Sequence, residues 1–155
     1  MLSIKDNFKE TINGGNPDRF VKQYEFMDII LEAPGKFFGE PGTQFLDDWG
    51  ITWEWPVGQI GQFPVHDAEH IVIKDVTDWK NQLKVPSVMY TEEEWKPAMD
   101  HAAKIREDGQ KYVTAFIAPG IFERTHHLMS MEEALIAYYE EPEAMHELID
   151  RLTQY

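Results

Sequence analysis

Tyr112-Val-Thr-Ala-Phe-Ile-Ala118 runs straight into Pro119-Gly120-Ile-Phe-Glu-Arg-Thr-His-His127. The first seven residues are almost continuously apolar, rich in β-branched and aromatic types, and are stopped by Pro-Gly. That pattern predicts a strand over 112–118 buried on both faces, as in a parallel sheet covered by helices. In α/β folds the chemistry gathers just past the carboxyl ends of such strands. Here that position holds Glu123, Arg124, His126 and His127, so part of any site is expected there.

Toward the carboxyl end, Ser130 and Glu133 form a capping box for a helix over 131–140, and Pro142 suits the first position of the next. In that last helix Met145, Leu148, Ile149 and Leu152 follow i, i+3, i+4, i+7, with Tyr155 extending the stripe. No glycine and no cap closes it. The stripe reads as an unfinished edge. It predicts that these residues are the amino-terminal part of something larger, or that another chain covers the face.

Toward the amino end, Thr91-Glu-Glu-Glu94 opens a helix that Asp108-Gly109 closes. Pro97 lies too deep for a first-turn proline, which predicts a kink or restart. Met99, Ala102, Ala103 and Arg106 mark one face. A shorter helix is expected over 76–83. Residues 34–64 are dense in Gly and Pro yet hold Phe37, Phe38, Phe45, Trp49, Trp53, Trp55 and Phe63, so they read as ordered loop and hairpin. Within them 51–55 alternates with period two and turns back through 56–59. Ser3 caps a helix over 3–12, followed by a turn at 16–18, a strand over 19–26 and a helical turn over 28–32.

The 155 residues suffice for one domain with a real core. Acids outnumber bases 28 to 14, a formal charge of −14, which argues against nucleic acid and anionic membranes as partners. Without cysteine, disulfides, thiolate nucleophiles and Cys-based zinc sites are excluded within these residues. The first residues lack the apolar stretch of a secretory leader and no run approaches membrane-spanning length, so a cytoplasmic protein is expected.

The order of features resembles the uroporphyrinogen decarboxylase-like superfamily, which includes corrinoid-linked methyltransferases. The phrases that carry the likeness are Asn16-Pro-Asp-Arg19, Phe45-Leu-Asp-Asp-Trp-Gly50, Ile73-Lys-Asp-Val-Thr-Asp-Trp-Lys80, Gly120-Ile-Phe-Glu123 and Met131-Glu-Glu-Ala-Leu135 with Tyr139-Glu-Glu-Pro-Glu143. The resemblance implies the amino-terminal portion of a (β/α)8 TIM-barrel-like fold. Its first two strands would fall near 19–26 and 112–118, with an aromatic hairpin inserted between them over the barrel mouth. It further implies action on a tetrapyrrole, or methyl transfer with a corrinoid. Any corrinoid or zinc would be engaged through the other half of the barrel, since no metal ligand set is assigned here. The partner would be a second copy or the remainder of the barrel. Decarboxylases carry an arginine-rich segment near the first strand. Here Arg19-Phe-Val-Lys22 offers one Arg and one Lys, which tilts the reading toward methyl transfer. The alternative is a non-catalytic half-barrel module that self-associates or pairs with another subunit.

Asp47 and Asp48 are the candidate catalytic acids, matching the family's aspartate on the first long loop. A carboxylate facing an apolar cavity accepts bonds from pyrrole-type N–H groups or moves a proton; the plainer alternative is a loop acid bonding nearby amides. Arg19, Trp49, Phe122, Glu123, Arg124 and His126 are the candidate substrate-binding residues. Glu123 shares a helical face with His126 and His127, spacing that suits a divalent metal, but a capped helix start explains the same residues. His66-Asp-Ala-Glu-His70 lacks the Glu directly after the first His that a zincin needs. Trp49, Trp53, Trp55 and Phe63 read as hairpin core before a wall for a flat cofactor.

Overall fold

The computed structural model describes residues 1–35, 38–116 and 118–155. It is mixed α/β, 42% helix and 11% strand, with two small sheets and none closed among the described residues. No described helix is long and apolar enough to cross a membrane. The chain divides into two compact units, each built from two stretches: Met1–Pro34 with Met89–Ile117, and Gly35–Val88 with Ala118–Tyr155. Phe37 of the aromatic loop and Ile117 of the expected strand lie outside the described residues.

The first unit begins with α1 (Ile4–Ile12), capped as expected by Ser3, whose Oγ accepts from the Asp6 N–H at 3.0 Å. Asn7 is buried on this helix. Its Nδ2 donates to the carbonyls of Leu2 and Ser3, and its Oδ1 accepts from the amides of Asp18 and Arg19, so one side chain pins the 16–19 turn against α1. Phe8 stacks on Phe26 with centroids 3.8 Å apart and meets Tyr112 edge-on at 5.9 Å.

The expected strand over 19–26 does not form. Lys22–Glu25 is a turn, Tyr24 takes a positive φ of 63°, and Arg19 clamps Glu25 across it at 2.6 Å. Extended pairing starts later, in β1 (Met27–Ile30), where a helical turn was expected. There β1 pairs in parallel with β5 (Tyr112–Ala115), Met27 opposite Tyr112 and Ile30 opposite Ala115. The strand predicted over 112–118 is therefore shorter. It is also not buried on both faces: Tyr112–Thr114 are half-buried, Ala115 and Phe116 exposed. β1 is its one neighbour among the described strands.

Between them in sequence, α3 (Glu92–Asp108) packs on both strands. Thr91 and Glu94 complete the capping box, and Gly109 closes the helix in the left-handed region with φ 68°. Pro97 sits inside without a restart. The buried face runs through Ala98 and Ile105 rather than Met99, which is 60% exposed.

In the second unit β2 (Gln44–Leu46), β3 (Thr52–Glu54) and β4 (Phe63–Pro64) form an antiparallel meander, Phe45 opposite Trp53 and Trp53 opposite Pro64. The expected helix over 76–83 is a 3₁₀ turn, Val76–Asp78, leading into the short α2 (Trp79–Gln82). Three helices follow: α4 (Ile121–Met129), α5 (Met131–Glu140) and α6 (Pro142–Thr153). Ser130 closes α4 and caps α5 at once, at a φ of 84°. The amides of Val72 and Ile73 bond the Leu128 carbonyl, tying that segment to α4.

The stripe on α6 is not an open edge. Met145, Leu148 and Leu152 are buried in one core with Trp49, Ile51, Trp53 and Leu128, and the Tyr155 ring meets Trp49 at 4.7 Å. The chain's own hairpin and helices thus cover most of the face the sequence left unsatisfied, while Ile149 stays half-buried and Tyr155 45% exposed.

Candidate functional site

The hairpin turn between β2 and β3 is built around Asp47, whose side chain is all but removed from solvent. Its Oδ1 accepts from the amides of Trp49 at 2.9 Å and Ile51 at 2.8 Å, and its Oδ2 from the Trp53 indole N–H at 2.9 Å. Gly50 takes φ 80° to close the turn. The loop-acid alternative thus describes Asp47: its carboxylate is already held by two amides and an indole.

Arg124 on α4 completes the arrangement. Its guanidinium lies 4.3 Å over the Trp49 ring and 3.8 Å from Asp47 Oδ2, a charge contact too long for a hydrogen bond. Burial pushes the guanidinium pKa down, and Asp47 and then Tyr155 oppose that shift. Tyr155 lies edge-on to the same indole. The structure therefore brings Asp47, Trp49 and Arg124, each singled out separately in the sequence, into one cluster.

The neighbouring residues of α4 take separate places. Glu123 Oε2 accepts from the Gly120 amide at 2.6 Å, capping the helix start. Phe122 remains 46% exposed and stacks at 6.2 Å on Tyr138. His126 lies 5.4 Å from Phe122 and 4.5 Å from His127. Burial, and then His66, lower its pKa, with Glu123 opposing. Arg19 belongs to the other unit, where its guanidinium is bidentate on Glu25. That pairing, followed by the Lys22 amide, holds Glu25 down at about 2.

His127 was weighed in the sequence for its metal-like spacing from Glu123 but not among the substrate-binding candidates. Its ring meets Trp53 edge-on at 4.9 Å, its Nδ1 is buried with no partner among the described residues, and His66 Nε2 contacts its carbonyl at 3.2 Å. Burial, reinforced by His126, Arg124 and His66, pushes its pKa to about 4, so it is neutral near pH 7. Trp53 was legible only as core. A buried indole N–H needs an acceptor, and that requirement was the signal pointing from Trp53 to Asp47.

Beside the turn lies an open cleft of about 480 Å³, lined among others by Asp48, Trp49, Glu69, His70, Val72 and Lys84. Asp48, next to Asp47 in sequence, is exposed on its wall. His70 Nδ1 is 2.7 Å from Asp67. The cleft joins apolar residues to both signs of charge, which suits a small polar molecule with an apolar part. Among the described residues no three His, Asp or Glu side chains converge as a metal site. Compared with family models, curated proteins and solved structures, the chain matches none.

Proposed function

We propose that this chain is the amino-terminal part of a uroporphyrinogen decarboxylase-like barrel, of the branch that moves a methyl group to or from a corrinoid. The parallel pairing of β1 and β5 around α3 carries the reading, because a βαβ unit is what such barrels repeat. The resemblance calls for two strands near 19–26 and 112–118, and the first of the observed pair falls instead at 27–30.

Two commitments inside the chain favour methyl transfer over decarboxylation. Arg19 is neutralised by Glu25, and Arg124 is buried on Trp49 beside Asp47, so neither is available to clamp substrate carboxylates. The cleft of about 480 Å³ is of a size for a small methylated donor or acceptor. In this account Trp49 and Val72 contact the apolar part of that molecule, while Asp48 and Lys84 orient its polar groups. Asp47 is a positioning residue that holds Trp49 and Trp53. The resemblance assigns the zinc ligands to the other half of the barrel, so no step is derived through a metal.

Equilibrium dialysis of the chain against a small methoxybenzoate and, separately, uroporphyrin tests the reading. Saturable retention of the methoxybenzoate alone is expected. Retention of uroporphyrin instead would return the protein to decarboxylation, and retention of neither would favour the non-catalytic module.

A further inference from the structure

A groove of about 300 Å³ runs between the Val76–Asp78 turn and α5. Ile73, Val76, Met129 and Ala137 form its floor, all buried, and Ile136 is a lip left 41% exposed. Asp75, Glu133, Glu140 and Glu141 stand around it against one base, Lys74. Asp75 accepts from the Thr77 amide and hydroxyl, which fixes its carboxylate at the rim. An apolar slot ringed by carboxylates rejects anionic ligands and favours an apolar side chain carried between cations. A second copy of a chain with net charge −14 would bring like charge to the same rim.

We propose that this groove docks a Lys/Arg-rich amphipathic segment of a different polypeptide. One apolar side chain seats on Val76 and Met129, and flanking cations face Glu133, Glu140 and Glu141. The surface is separate from the cleft beside Asp48, so the proposal stands or falls independently of the methyl-transfer reading.

A fluorescein-labelled Leu/Lys peptide, with leucines at i, i+3, i+4 and i+7, serves as the probe in anisotropy titrations. The wild-type chain binds it. The double variant Glu133→Lys/Glu140→Lys weakens binding about tenfold or more, as loss of close charge pairs does. Ile136→Asp weakens it as well, and being at an exposed lip leaves the far-ultraviolet dichroism unchanged. Glu107→Lys/Asp108→Lys, at the last turn of α3, makes the same change in net charge and leaves binding nearly intact. Equal losses from both double variants would reduce the attraction to net charge and overturn the proposal. So would absence of binding, insensitivity to Ile136→Asp, or a dimer of the chain in sedimentation that Ile136→Asp abolishes.

Discussion

Asp47 shows how one side chain sets a turn, two indoles and a cation. Removing it leaves the Trp49 and Ile51 amides and the Trp53 indole without their acceptor, and Arg124 without its nearby counter-charge. Asp47→Ala is therefore expected to cost about 3–5 kcal/mol in urea unfolding. Asp47→Asn keeps one acceptor oxygen for the two amides, and is expected to cost about 1–2 kcal/mol. Near-equal stability of wild type and Asp47→Ala would remove the anchoring role. His127 gives a pH signature. Its folded pKa of about 4 lies below the ordinary 6.5, so the unfolded chain takes the proton first. Its contribution is full above pH 6.5 and is lost as the pH falls toward 4. His126, also lowered, acts with the same sign. Glu25 withdraws its contribution lower down, between 4.5 and about 2. The urea midpoint should thus drop between about pH 7 and about pH 5, and His127→Phe should flatten that drop while keeping the ring against Trp53. A midpoint that holds or rises over that range would contradict the buried neutral imidazole.

Helix ends were the most readable part of the chain. Ser3, Thr91 with Glu94, Gly109, Ser130 and Pro142 all stand where local capping chemistry placed them, because a cap is decided within four residues. At Pro97 the helix does not restart, since packing on β1 and β5 carries α3 through the lost backbone bond. Pro97→Ala should restore that bond and raise stability by about 1–3 kcal/mol, measured by thermal or urea unfolding. Ser130 combines a cap with a positive φ. Ser130→Ala, which loses the cap and keeps the strain, should cost about 1 kcal/mol, and Ser130→Gly only a few tenths. The opposite order would mean that backbone strain there is negligible.

What joins distant segments was harder to read. The 112–118 run looked doubly buried because its composition is apolar, yet burial depends on which strands and helices arrive beside it, and β1 alone pairs with it among the described strands. The α6 stripe looked unfinished because the hairpin that covers it lies about a hundred residues upstream, and neither periodicity nor capping reports such a partner. For the same reason Asp47, Trp49 and Arg124 were each legible, while their convergence was not. The barrel reading rests on the direction in which β1 and β5 pair, and the chain's lack of cysteine allows a clean test. Ile30→Cys/Ala115→Cys places thiols on residues paired in the parallel register, within disulfide reach, whereas Met27→Cys/Ala115→Cys would be paired only if the strands ran antiparallel. Oxidation followed by non-reducing electrophoresis should cross-link the first variant efficiently and leave the second reduced; preferential cross-linking of the second would contradict the parallel pair and the barrel proposal built on it.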